Sequence, residues 1–235
     1  MIAPLVVAAA QPDCVAYDVA ANARAHAEVV RRGRARVVVF PELSLTGYEL
    51  DAPAVAPGDA RLAPIVAACA ATGSIALVGA PVADDTGDHI GVLAVDAAGA
   101  RIAYRKMWLS DQEAVRFAPG PAVAVITVDG WRLGLAICKD TGEARHSADT
   151  AAAGMDVYVA GVLDSADDAA VQDERARRVA ADHAVWVVVA SFAWSTGGGY
   201  DVAAAQSRIW SPAGEVVASA GRETGRIARA TLRPA

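Results

Sequence analysis

Hydrophobic residues along this chain come mostly as short unbroken runs, and polar breaks cut the runs off sharply. Residues 5–10 (LVVAAA), 36–40 (RVVVF), 75–81, 156–160 and 185–190 (VWVVVA) are such runs. Continuous β-branched stretches of this length are the mark of strands buried on both faces. Gln11-Pro12 ends the first and Pro41-Glu42 the second. Between them, residues 18–32 have helical spacing, with Asn22 and Glu28 assigned to the polar side. Residues 59–71 predict a helix of small side chains, and 169–183 a charged amphipathic helix.

Hairpins alternate with these units. Residues 123–128 and 131–137 are apolar runs split by Asp129-Gly130, a pair that favours a two-residue type I′ turn. Residues 140–143 then read as helix-start residues ahead of the Ala-rich stretch 144–153. Residues 90–95 and 101–106 predict a second antiparallel pair turning through 97–99, and 206–210, 215–218 and 226–231 predict short closing strands. The connection 107–121 is long, and connections of that length are usually functional. STGGGY at 195–200 predicts a flexible loop. No repeat at a fixed period and no shift in composition marks a linker, so one domain over 1–235 is expected. Parallel-type strands mixed with hairpins predict an α/β fold. Covering every apolar face then requires helices on both outer sides and two sheets sharing an interior.

Composition sharpens this picture. A chain of 235 residues can bury a substantial core, and its 54% hydrophobic content, much of it Ala, lets helices pack closely on sheets. The net charge is -6, and the tight basic cluster Arg31, Arg32, Arg34 and Arg36 ends a predicted helix, where cations complement the dipole. That pattern argues against a nucleic-acid partner. No apolar run approaches the length of a membrane span, and the opening residues lack the basic segment of a secretory leader. Three cysteines (Cys14, Cys69, Cys138) form no metal-ligand spacing and leave an odd thiol, which points to a reduced, cytoplasmic setting.

Candidate chemistry collects at predicted strand ends, where α/β sheets place their sites. Cys138 stands at the tip of the strand 131–137, next to a predicted helix N-terminus that favours thiolate over thiol. Glu42 sits at the mouth of RVVVF, and Lys106 ends the strand 101–106. Each has an ordinary structural account alone: a small buried hydrophobe, a turn residue capping Ser44 or Thr46, a solvated strand end. Three such groups together are much less readily accidental. His146 and His183 invite a Cys/His hydrolase reading, but His183 lies at a helix end, where capping or solvation is its ordinary role. Gly197–Gly199 is no phosphate loop, because neither a helix start nor Lys-Ser/Thr follows it.

FPELSLTGY at 40–48, YRK at 104–106 and GLAICKD at 134–140 resemble the three signature segments of the nitrilase superfamily of carbon–nitrogen hydrolases, in the family's order. Gln11 and Asn22, FAPG at 117–120, GMD at 154–156, SRI at 207–209 and SPAG at 211–214 extend the likeness over nearly the whole chain. The resemblance implies a four-layer αββα sandwich and a Glu–Lys–Cys catalytic set. On that pattern Glu42 is general base and acid, Lys106 the cation that meets the oxyanion, and Cys138 the nucleophile. Glu113 falls where family members often carry a further glutamate, holding the lysine charged and orienting the amine. The backbone N–H of Lys139 is the expected second oxyanion donor. Tyr48, Trp108, Trp194 and Gly161 are expected around the substrate, with specificity in loops 46–58, 107–121, 161–170 and 192–204. The implied reaction is thioester-mediated hydrolysis of a small linear amide or N-carbamoyl amine, with no metal or organic cofactor and with subunits paired into a homo-oligomer. Nitrile hydrolysis, acyl transfer and a catalytically silent scaffold are the alternatives.

The chain also departs from the family pattern. After Cys138 it reads Lys139-Asp140-Thr141-Gly142-Glu143-Ala144-Arg145-His146, so a usual Glu and Arg fall on Arg145 and Ala148 and their salt link is in doubt. Ser191 stands for a usual Asn, and Asp182-His183 for a usual Glu-Asn. Lys139-Asp140 is nearer to amidase branches than to true nitrilases, which favours an amide over a nitrile.

Overall fold

The computed structural model describes residues 2–234. Its first sheet grows from β1 (Leu5–Ala10), α1 (Val19–Gly33), β2 (Val37–Val39), α2 (Ala63–Thr72) and β3 (Ile75–Asp84), followed by the hairpin strands β4 (Gly87–Asp96) and β5 (Gly99–Arg105). The second is built from β6 (Ala124–Val128), β7 (Trp131–Ile137), α3 (Ala144–Ala152), β8 (Val157–Val162), α4 (Ala169–His183), β9 (Trp186–Ser191), β10 (Arg208–Trp210) and β11 (Val216–Ser219). A last strand, β12 (Ile227–Leu232), returns to the first sheet. The strand orders are β12-β1-β2-β3-β4-β5 and β11-β10-β9-β8-β7-β6. Three parallel strands lie inside each sheet, β1-β2-β3 in one and β7-β8-β9 in the other, flanked by antiparallel partners.

Strand periodicity sorts the side chains into layers. Val7, Val39 and Leu77 of the first sheet meet Leu135, Val159 and Val188 of the second in a shared interior. Their alternates Ala8, Val38 and Val78 face Ala23, Ala27 and Ile65 of α1 and α2. On the far side Tyr158, Val187 and Val189 pack on Val179 and Ala180 of α4. The result is the expected αββα sandwich, and it explains the unbroken runs: both faces of the inner strands are covered. The turn at Asp129 and Gly130 has φ of 52° and 89°, the two positive values that a type I′ hairpin requires. No helix among the described residues is long and apolar enough to cross a membrane.

Local differences from expectation have physical causes. Residues 59–71 open with a 3₁₀ turn, Ala60–Leu62, before α2 takes over. The connection 107–121 carries a short 3₁₀ turn, Glu113–Val115. Residues 138–142 form another 3₁₀ turn, ahead of α3, which begins at Ala144 as expected. Asn22 does not face solvent. It is buried, donating from Nδ2 to the carbonyls of Val15 (2.8 Å) and Leu45 (2.9 Å). One turn on, His26 is also buried, its Nε2 lying 2.9 Å from Ser44 Oγ and its ring stacked on Phe40 at 4.1 Å. Burial pushes the His26 imidazole down to about 3, so the ring is neutral. These two side chains of α1 hold the irregular segment 40–48, which has no ladder of its own.

Candidate active site

Glu42, Lys106 and Cys138 each follow the end of a strand (β2, β5 and β7), and Lys106, Glu42 and Glu113 are joined by direct hydrogen bonds. Lys106 Nζ donates to Glu42 Oε1 at 2.7 Å and to Glu113 Oε1 at 2.6 Å, and all three side chains are at most 1% exposed. Burial works against the ammonium, yet the carboxylates of Glu42 and Glu113 outweigh it, and the Lys106 pKa lies above its ordinary range. One cation between two carboxylates is thus the form that resists desolvation here.

The two glutamates differ in what else they bind. Glu113 accepts Tyr48 Oη at 2.6 Å on the oxygen that holds Lys106, and the Ser110 N–H at 2.8 Å on the other. Burial would raise its carboxyl, but Lys106, Tyr48 and Ser110 hold it below the usual range, as a fixed anion. Glu42 keeps Oε2 buried and without a hydrogen-bond partner. Burial pushes the Glu42 carboxyl up to about 7, against the pull of Lys106. A carboxylate with one committed and one vacant oxygen, balanced near neutrality, is equipped to take and return a proton.

Cys138 opens the 3₁₀ turn with φ of 41°, a left-handed conformation that costs a non-glycine residue of order 1–3 kcal/mol. The residue keeps part of its surface accessible, and its Sγ lies 3.3 Å from the Leu163 carbonyl. Burial, then Glu42 and Asp164, raise the Cys138 thiol well above its ordinary value, opposing the thiolate that a helix N-terminus favours. A five-residue 3₁₀ turn follows the sulfur, and burial is the largest influence on it. These causes favour the neutral thiol, and Glu42 and Cys138 each act on the other's titration.

The backbone of Glu42 is clamped between the sheets. A Cβ on Gly79 of β3 would collide with the Pro41 carbonyl and the Leu43 amide. One on Gly161 of β8 would lie 2.5 Å from the Phe40 carbonyl oxygen and 3.1 Å from the Glu42 nitrogen. Gly161, expected beside the substrate, is buried and gives room for the Glu42 segment. Tyr48 is buried with its hydroxyl on Glu113, and Tyr200 packs edge-on against it at 5.2 Å. The glycine loop lies over this side, with Gly197, Gly198 and Gly199 all at positive φ and the Tyr48 N–H donating to the Thr196 carbonyl at 2.9 Å. Trp108 is half-buried and turns its ring toward His146, at 5.5 Å. Trp194 is 63% exposed. The Lys139 side chain reaches the Leu109 carbonyl at 2.7 Å. His183 lies at the end of α4 with Nε2 3.1 Å from Ser147 Oγ.

Two residues outside the expected set belong to this region. Asp164, just past β8, pairs loosely with Arg175 at 3.7 Å, and its charge bears on Cys138. Asp140, read from the sequence as a helix-start residue, is fully buried and accepts from the Ile137 N–H (2.9 Å), Tyr104 Oη (2.8 Å) and the Trp108 N–H (3.0 Å). The doubtful salt link is not found among the described residues: the Arg145 side chain is 84% exposed and pairs with Asp149 on its own helix, at 3.5 Å. Its neighbour His146 is fully buried.

Comparison with known proteins agrees with this fold. The family model described as carbon-nitrogen hydrolase matches residues 6–235. The chain is 29% identical over 223 residues to "Hydrolase in pqqF 5'region" from Pseudomonas protegens, covering 89% of this chain and 76% of that protein. Saccharomyces cerevisiae Nit3, a member of branch 10 of the nitrilase superfamily, has the same fold with a TM-score of 0.87 at 21% identity, over 98% of this chain and 90% of that one. A cysteine-to-alanine mutant of the Nesterenkonia AN1 amidase gives a TM-score of 0.87 at 19% identity, over 99% and 92%. XC1258 from Xanthomonas campestris, which carries an arsenic adduct in its active site, gives 0.86 at 17%, over 98% and 91%. With signature segments, sandwich and family model in agreement from β1 to the C-terminus, this chain belongs to the nitrilase superfamily of carbon–nitrogen hydrolases.

Proposed function

We propose that this hydrolase cleaves the C–N bond of a small linear amide or N-carbamoyl amine through a thioester on Cys138. The observation that carries the reading is the split between the glutamates. Lys106 is bound to both, Glu113 has each oxygen occupied, and Glu42 alone keeps a vacant buried oxygen. An amide carbon is a poor electrophile, so cleavage needs an activated nucleophile and a receptor for the oxyanion.

Glu42 takes the Cys138 proton as the sulfur bonds to the carbonyl carbon. The oxygen, now negative, is received by the third proton of the Lys106 ammonium and by the Lys139 backbone N–H; one such donor contributes roughly 3–4 kcal/mol to lowering the barrier. Glu42 then gives its proton to the departing nitrogen, and ammonia leaves a thioester. Water enters, Glu42 removes a proton from it, and attack on the acyl carbon releases the carboxylic acid from an amide, or from an N-carbamoyl amine a carbamic acid that splits into the amine and CO2. Glu42 returns the proton to sulfur. Glu113 keeps Lys106 charged throughout. The Nesterenkonia amidase, in a glutamate mutant, takes the acetamide moiety of fluoroacetamide on its active-site cysteine, and this supports an amide as substrate class.

The base works only when ionised, so kcat/KM is expected to rise with pH through an acidic limb centred near the Glu42 value of about 7. Ammonia release from a panel of linear amides and N-carbamoyl amines, measured across pH with the acyl adduct on Cys138 followed by mass spectrometry, tests the proposal. A panel that yields neither ammonia nor adduct, while a nitrile is consumed, would replace it with the nitrile reading.

A further inference from the structure

We propose that His146 is a positioning residue for the nucleophile. As a neutral ring with its proton on Nε2, it is the middle link of a one-way hydrogen-bond chain, Tyr158 to His146 to Tyr104 to Asp140. That chain fixes the corner between Lys106 and Cys138. The inference rests on reading Glu42, Lys106 and Cys138 as one hydrolytic set, and it concerns residues that no part of that reading uses.

The direction of the chain follows from donor and acceptor counting. Asp140 Oδ2 accepts from the Ile137 N–H at 2.9 Å and lies 2.8 Å from Tyr104 Oη, while Oδ1 accepts from the N–H groups of Trp108 (3.0 Å) and Met107 (3.3 Å). An ionised carboxylate has no proton to give, so the Tyr104 hydroxyl donates to it. The Tyr104 oxygen is left as an acceptor for His146 Nε2, 2.9 Å away, which must then carry the proton. In the neutral ring Nδ1 is a lone pair, and it accepts from the Tyr158 hydroxyl at 2.8 Å.

The surroundings favour the uncharged ring. His146 is fully buried, with Tyr104 of β5, Tyr158 of β8 and Trp108 edge-on at 5.9, 5.8 and 5.5 Å. The charges that bear on this group are Asp149 on the same helix, Asp140 through Tyr104, and Arg178 of α4 through Tyr158. None makes a direct contact with the imidazole, and burial takes its pKa down to about 4.

The anchoring points give the chain its consequence. Ile137 immediately precedes Cys138, and Met107 and Trp108 immediately follow Lys106. One carboxylate thus ties the strained turn of the sulfur to the strand end of the ammonium, and its orientation is set by Tyr104 and, behind it, His146. Loss of the ring lets Asp140 turn, and misplacement of reacting groups by about 1 Å costs up to roughly 100-fold in rate.

Three measurements test this. ¹⁵N NMR of the wild-type protein at neutral pH is expected to show His146 protonated at Nε2 only, a result that needs no substrate. His146→Phe is expected to lower kcat by roughly 10- to 100-fold with KM changed less than about twofold, and to slow iodoacetamide alkylation of Cys138 in proportion. His146→Gln, which offers one donor and one acceptor in similar places, is expected to restore most of both. Tyr104→Phe is expected to match His146→Phe, with the double variant no worse than either, since both break one chain. A proton on Nδ1 or on both nitrogens overturns the proposal, and so does equal impairment of the Phe and Gln variants, which would assign the ring to packing. If His146→Phe does not fold, the NMR signature and the Gln and Tyr104→Phe variants still decide. Failure of the hydrolytic reading would show separately, as ammonia release that survives Cys138→Ala.

Discussion

Cys138→Ala is expected to lower kcat for ammonia release on the order of 10⁶-fold while leaving the fold in place, because a nucleophile's loss removes the whole covalent route and not one stabilising contact. The residue's special conformation, φ of 41°, is one that alanine adopts at the same cost, so the turn is retained. The side chain's hydrogen bond to the Leu163 carbonyl, 3.3 Å long, is a weak one to lose. Initial rates and thermal melting together check the claim: activity vanishes and the melting temperature stays within a few degrees. Loss of iodoacetamide labelling at this position is a poor substitute as evidence, since Cys14 and Cys69 are also raised by burial, to about 12 and about 11. In the proposed mechanism what distinguishes Cys138 is Glu42 acting as its base, and not a lower resting pKa. A variant that keeps more than about 1% of wild-type turnover would remove the thioester from the mechanism.

The elements legible in the sequence were those whose burial is periodic or complete. β1 and α4 fall on the expected residues 5–10 and 169–183 because an unbroken run and an amphipathic stripe each leave one solution. The strand-end positions of Glu42, Lys106 and Cys138 followed from runs that stop at Pro41, Lys106 and Asp140. Polar residues that point inward were the harder part. Asn22 was assigned to solvent, yet Val19, Ala23, His26 and Val30 around it make one buried stripe, and a polar residue inside such a stripe is the available signal. His146 carries the same mark, with buried Thr150 one turn later. Asp140 gave no such mark, since its four donors come from segments more than thirty residues apart as well as from its own turn. Residues 138–142 form their 3₁₀ turn around those same contacts.

The second large effect is expected at Lys106. In Lys106→Met the ammonium that binds Glu42 at 2.7 Å and Glu113 at 2.6 Å is gone, and two carboxylates face one another in a site from which water is largely excluded. Removing one partner of a buried charge group costs about 3–5 kcal/mol, because the charges left behind have lost their solvation and their counter-ion. Proton uptake relieves that cost, which fixes its pH dependence. The unpaired carboxyls of the variant have folded-state values raised above the unfolded one, so their protonated forms are tolerated below the unfolded value and stability is lost as pH rises through the folded values. In the wild type Glu113 is held low, so its contribution is present above the unfolded value and lost as pH falls. Glu42, already raised to about 7, loses stability with rising pH in both proteins and so does not open a gap between them. The gap in melting temperature between wild type and Lys106→Met therefore widens from about pH 5 to about pH 8. Activity at neutral pH falls by at least the roughly 10²–10³-fold of a missing oxyanion donor, and further because Glu42, without its cation, stays protonated. Adding Glu113→Gln to Lys106→Met removes the repulsion and is expected to recover stability without recovering turnover. A gap in melting temperature that is the same at both pH values would mean that Lys106 holds no charge between these glutamates.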